Sequence, residues 1–207
     1  MNYAIHKLDR TEEFISLLLE TQTMEELKQV AEKDTYECPY CQETLHVRGG
    51  NIRECHFFHL YNKSCDASRQ MEKSYRQYKK QIKRESTKHS ILVSIVKDEL
   101  KTAATGKENI EIVEGYRVEK FNKHFPDLYV CIGSREWAFT ILTELTENEN
   151  NTYARNFRER HHYFQENGLE SIWLFDKANF ATEKNKRSLV MWEIEYLSSR
   201  ESKEDLH

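Results

Sequence analysis

Nothing in the 207 residues approaches the unbroken apolar stretch of about 20 residues that a membrane-spanning helix requires. The opening MNYAIHKLDR also lacks the basic-then-apolar order of a secretory leader. No membrane partner and a cytoplasmic location are therefore expected. Overall positive charge is missing too: 31 Lys and Arg stand against 35 Asp and Glu, a net of −4. This excludes a diffuse basic field drawing the whole molecule onto nucleic acid, so any such binding has to come from a local patch. Proline is scarce, with Pro39 and Pro126 the two that occur. An even cysteine complement is absent as well. Of five cysteines, Cys38, Cys41, Cys55 and Cys65 fall within 28 residues beside His56 and His59, with Cys131 apart. In a reducing compartment that clustering reads as metal ligation before disulfides.

The cysteine-rich stretch, residues 36–68, is the first expected module. Cys38-Pro39-Tyr40-Cys41 has the two-residue spacing of a zinc knuckle, in which a tight turn lets both thiolates reach one ion at about 2.3 Å. Residues 43–48 and 52–55 flank Gly49-Gly50, which is hairpin chemistry. His56-Phe57-Phe58-His59 and then Cys65 follow. A tetrahedral site takes four ligands, and the choice is Cys38, Cys41, His59 and Cys65, with His56 in reserve and Cys55 pointing away. A closed, thiolate-rich site of this kind makes the Zn²⁺ structural. Before it, residues 1–35 read as a helical lead-in. Residues 1–8 suggest a short strand, Thr11 precedes an apolar run, and Thr23-x-x-Glu26 is a capping box opening a second helix.

After the module, residues 69–84 form a basic linker helix. Arg69, Lys73, Arg76, Lys79, Lys80, Lys83 and Arg84 recur with Tyr75 and Tyr78 between them. Such a patch suits a phosphate backbone, or else is simply a solvated helix face.

A second domain is expected over residues 85–197. Glu85 and His89, one turn apart, open a helix whose Ile91, Leu92, Ile95, Val96 and Leu100 recur at helical spacing. A strand over 110–113 comes next. Two apolar runs, 128–132 and 137–142, are then joined by Gly133-Ser134-Arg135-Glu136, a hairpin pattern. Antiparallel pairing is expected to bring Asp127 and Glu144 side by side at its open end. Two acids held there can share a hard divalent cation such as Mg²⁺. A helix over 153–166 ended at Asn167-Gly168, strands over 169–175 and 190–196, and a disordered tail, 198–207, complete the chain.

In this order the pieces resemble the CoiA-like competence proteins, a family with a nuclease domain of the PD-(D/E)xK type. The likeness covers roughly residues 36–176. It rests on Cys38-Pro-Tyr-Cys41 with His56-Phe-Phe-His59, Glu85-Ser-x-x-His89, Pro126-Asp127, Glu144-Leu-Thr146, and Arg160 with Phe164 and Gly168-Leu-x-x-Ile-Trp173. It implies an α/β, restriction-endonuclease-like mixed-sheet core behind the lead-in and zinc module. It also implies a catalytic site of Glu85, Asp127 and Glu144 holding Mg²⁺ or Mn²⁺, and DNA as the partner. Thr146 departs from the pattern, since such nucleases carry Lys there and the CoiA-like proteins often Gln. A cation from another element, with Lys120, Arg158 or Arg160 as candidates, would have to replace it. The nucleic-acid contacts expected are Arg76, Lys79, Lys80, Lys83, Arg158 and Arg160. The alternative is a catalytically silent relative serving as a nucleic-acid- or protein-binding module or adaptor.

Overall fold

A computed structural model describes residues 1–50, 54–60, 64–83, 85, 88–143, 151–177, 181–182 and 189–190, with the backbone alone for 151–154, 181–182 and 189–190. The chain divides into two compact units, Met1–Lys73 and Ser74–His207.

The first unit is built on a five-stranded antiparallel sheet in the order β2-β1-β3-β4-β5. Its strands are β1 (Tyr3–His6), β2 (Glu12–Phe14), β3 (Tyr36–Glu37), β4 (Thr44–Arg48) and β5 (His56–His59). Helices α1 (Ile15–Thr21) and α2 (Met24–Glu32) join β2 to β3. The capping box forms as the sequence suggests: Glu26 N donates to Thr23 Oγ1, and Thr23 N donates to Glu26 Oε2 at 2.8 Å. The buried Leu27 and Ala31 then face β4, against which α2 packs. The stretch expected as a helical lead-in thus also supplies two strands to the sheet of the cysteine-rich module. The short strand suggested over residues 1–8 is β1, whereas the three residues of β2 carry too little alternation for the pattern to show it.

The module's hairpin lies further along than the glycine pair suggests. β4 pairs with residues 56–59, Arg48 opposite His56 and Leu45 opposite His59. Cys55 therefore precedes the strand, and its backbone passes so close to Gly49 that a Cβ there would lie 2.6 Å from the Cys55 Cα. Alternation along β5 buries Phe57 and His59 and leaves His56 and Phe58 half-buried on the opposite face.

Helix α3 (Asp66–Gln81) begins in the first unit and ends in the second. Ser68, Met71, Ser74 and Tyr78, three or four residues apart, form its buried face. Arg69, Lys73, Arg76, Lys79, Lys80 and, just past its end, Lys83 are exposed.

In the second unit, α4 (Lys88–Ala104), β6 (Ile110–Glu114), β7 (Leu128–Ile132), β8 (Arg135–Leu142), α5 (Asn151–Glu166) and β9 (Glu170–Phe175) build a mixed four-stranded sheet, β6-β7-β8-β9. β6, β7 and β8 run antiparallel, and α5 carries the chain to β9, parallel to β8. Gly133 takes a positive φ of 61°, which allows a two-residue turn, so β8 starts at Arg135 rather than Trp137. Leu142 and Phe157 pack with Trp173 and Phe175 between α5 and the sheet. β10 (Ala181–Thr182) and β11 (Leu189–Val190) make a separate antiparallel pair. The expected strand over 190–196, apart from Val190, and the tail 198–207 lie outside the described residues.

Two expectations for α4 change. Glu85 precedes the helix rather than sitting on its first turn, and Ile91 and Ile95 point outward with 61% and 51% of their surface exposed. The run Ile-Leu-Val-Ser-Ile-Val is apolar nearly all round, so spacing alone could not choose its inner face. Among the described residues no helix is long and apolar enough to cross a membrane.

Candidate functional site

In the first unit the knuckle is a tight turn between β3 and β4. Gln42, at a φ of 61°, donates its amide to Cys38 O at 2.9 Å, and Cys38 N donates to Glu43 O at 2.9 Å. This closure turns the Cys38 and Cys41 thiols to one side. His59 comes from the end of β5, and Cys65 stands immediately before α3, its carbonyl accepting from Arg69 N at 3.1 Å. The ligand atoms of Cys38, Cys41, His59 and Cys65 all lie within 4.8 Å of one another. Cys38 Sγ is 3.9 Å from Cys65 Sγ, and Cys41 Sγ is 3.3 Å from His59 Nε2. A tetrahedron with metal–sulfur bonds near 2.3 Å places its sulfurs about 3.8 Å apart, so the four donors could hold a metal ion such as zinc.

The reserve ligand is not part of this cluster. His56 is turned to the other face of β5, and its Nδ1 lies 2.9 Å from Glu54 O. Burial pushes the Cys38 thiol up to about 12. Burial also raises Cys65, but Ser68, whose amide lies 3.4 Å from the sulfur, and the neighbouring thiols outweigh it, so the net displacement is downward. His59 is lowered by burial and by the chain's amino terminus, which favours the neutral ring that ligates a metal.

In the second unit the expected acids occupy different environments. Asp127 is 1% exposed. Its Oδ1 accepts from Tyr78 Oη at 2.8 Å and its Oδ2 from Ile141 N at 2.7 Å, with His89 Nε2 3.3 Å from Oδ2. Burial raises Tyr78 well above its ordinary range, and the Asp127 charge adds to it, so the phenol stays a neutral donor. His89 is drawn down by its own burial, yet Asp127 and Glu85 outweigh that and raise it. Glu85 is half-buried, and its Oε2 accepts from Thr143 N at 2.7 Å and Thr143 Oγ1 at 2.8 Å. Glu144 and Thr146 lie outside the described residues. Leu128 lies opposite Phe139, and Asp127 N donates to Phe139 O. Asp127 is thus level with Thr140, short of the end of β8.

Glu85 lines a cleft of about 610 Å³ within this unit, together with Lys80, Lys83, Lys123, His124 and Arg160. Among the described residues the lining carries four cations against one carboxylate. This local patch is what a chain of net negative charge needs in order to hold an anion. Of the other expected contacts, Arg76, Lys79 and Arg158 are exposed and lie outside the lining, and Lys79 rests over the Tyr75 ring at 5.7 Å. Lys120 pairs with Glu136 and covers Tyr129, its Nζ 5.0 Å from the ring centre.

Lys123 and His124 were missed by the sequence reading. They lie in irregular chain between β6 and β7, where no periodicity singles them out. Their position just before Pro126-Asp127 is the one signal that could have found them.

Residues 19–68 match the family model described as the N-terminal domain of competence protein CoiA. The matched stretch spans α2 and the whole Cys/His cluster, and so bears out the CoiA-like resemblance over that part of the chain. No curated protein and no solved structure matches the chain.

Proposed function

With a CoiA-type N-terminal domain over residues 19–68 as the starting point, we propose that the second unit is a metal-dependent nuclease acting on DNA phosphodiester bonds, in a chain whose first unit is stabilised by zinc. The observation that carries this is the clamp between Glu85 and Thr143. It fixes one acid at the rim of a cation-lined cleft and against the residue directly before Glu144. Glu85 Oε1 has no hydrogen-bond partner among the described residues and is available to a cation. The mixed four-stranded sheet flanked by α4 and α5 agrees with a restriction-endonuclease-like core.

On this reading Glu85, Asp127 and Glu144 hold Mg²⁺ or Mn²⁺. When bound, such an ion would supply Lewis-acid polarisation of the phosphate and a water of lowered pKa. The chain's residues do the rest: the cations of the cleft draw in the phosphate backbone, and the Thr143 clamp keeps Glu85 oriented. In the first unit Cys38, Cys41, His59 and Cys65 hold a structural Zn²⁺, a closed donor set with no position for substrate.

One observation favours a second reading, a relative that binds nucleic acid without cutting it. Asp127 is sealed from solvent, and both its oxygens are already used by Tyr78 and Ile141. Purified protein incubated with labelled single- and double-stranded DNA and Mg²⁺ or Mn²⁺ decides between them. Cleavage that disappears in Glu144→Ala and in Glu85→Gln is the expected result. Binding without cleavage on every substrate would leave the second reading.

A further inference from the structure

Helix α5 presents Phe157, Arg160 and Phe164 at three- and four-residue intervals on its buried face, so a guanidinium stands where the helical period calls for an apolar side chain. Arg160 is 9% exposed. Its plane lies over Trp173, Cζ 5.3 Å from the ring centre, which holds the group in place. Among the described residues its Nε and Nη2 are buried and have no hydrogen-bond partner. A buried cation with unmade hydrogen bonds is costly, and a fold retains one where something else completes it. Beside it His124 Nε2 is likewise buried and unpartnered.

We propose that Arg160, with Lys80 and Lys123 at the cleft's mouth, is the seat for a phosphate group of a nucleotide chain. Both lysines line the same cleft, and Lys123 is exposed. Guanidinium is suited to this work because its fixed fork of N–H groups matches phosphate oxygens two at a time. The same cavity wall keeps His124 uncharged: burial first, then Arg160 and Lys123, lower its imidazole to about 4. The neutral ring adds a hydrogen bond without adding to the crowding of charge. Of the three cations that sequence offered in place of the missing lysine, Arg160 is thus the one that reaches the cleft. Lys120 is tied to Glu136, and Arg158 faces solvent.

The identification of the anion as phosphate rests on the nuclease reading, but the seat itself is tested without cleavage. Binding is measured with no divalent metal added, by ³¹P line broadening with inorganic phosphate, with a mononucleotide, and by anisotropy with a labelled oligodeoxynucleotide. The wild type is expected to bind the oligonucleotide most tightly, with inorganic phosphate competing. Arg160→Gln should weaken binding by at least about tenfold, the worth of one charge-assisted hydrogen bond. Arg160→Lys should recover part of that loss.

The exposed Lys123→Glu is the second variant, chosen because it leaves the core untouched, and it should weaken all three ligands. A folded Arg160→Gln or Lys123→Glu that binds as the wild type does would overturn the proposal. So would a wild type with no response to phosphate or oligonucleotide. Tight binding of the mononucleotide with none of the oligonucleotide would overturn the assignment to a nucleotide chain. A wild type that binds phosphate through Arg160 yet cuts nothing removes the nuclease reading and leaves this one standing. Cleavage indifferent to Arg160→Gln does the reverse.

Discussion

Asp127 shows how one side chain can be both a structural keystone and a candidate ligand. Its carboxylate accepts from Tyr78 and from the Ile141 amide below the surface, tying α3 and β8 to the start of β7. Replacing Tyr78 by Phe deletes one of these bonds and leaves a buried oxygen short of a donor, at a cost of about 1–3 kcal/mol. Urea unfolding of Tyr78→Phe should show that loss, and an unchanged midpoint would mean the bond is not formed in solution. His124 makes a second prediction at this scale. Its folded value is near 4, whereas the ordinary one is 6.5. Between those limits the unfolded chain takes up a proton that the folded chain refuses, so stability falls as pH drops from about 6.5 toward 4. His124→Gln removes that contribution, and its stability measured across this interval should fall less steeply than the wild type's. A parallel pair of curves would be the contrary result.

At the level of elements, the parts legible in the sequence were those with local chemistry to announce them. The capping box at Thr23 and Glu26 is read from two residues, and so are the Gly168 helix end, with its φ of 76°, and the hairpin around Gly133. The Cys/His cluster was legible too, because thiol spacing carries its own geometry, and the alternation of β5 separates His59 from His56. What stayed hidden depends on partners distant in sequence. The register that sets Asp127 level with Thr140 is one example, and the outward turn of Ile91 and Ile95 is another. Gly115 is of the same kind. A Cβ on it would stand 2.2 Å from Pro126 O, so the chain leaving β6 passes the residue before Asp127 with no space for a side chain. Gly115→Ala has to push that backbone apart, an overpacking cost of about 1–3 kcal/mol. A thermal melt of Gly115→Ala as stable as the wild type would show that the segment yields freely.

For the molecule as a whole, the two units face different problems of stability. Met1–Lys73 is a small body of short strands, with Tyr3, Leu27, Leu45 and Phe57 among its fully buried side chains. A unit of that size buries a smaller share of its unfolded surface than a larger domain does, so a bound metal would make a larger difference to it. Structural zinc in peptides contributes an apparent ~10–16 kcal/mol, comparable to the ~5–15 kcal/mol that holds a whole domain together. Ser74–His207 has its own core around Phe121, Phe125, Leu128 and Phe164 and contains none of the four Cys/His donors. Stripping the protein with a strong chelator should therefore release one zinc per chain. The first unit should then lose its protection from proteolysis and the exchange resistance of its sheet amides, while the β7–β8 amides stay protected. Cys41→Ser should behave as the stripped protein does, with no recovery on adding zinc back. A chain that gives up its metal completely and keeps the first sheet protected would show that the sheet folds without an ion, and that the four ligand atoms assemble by packing alone.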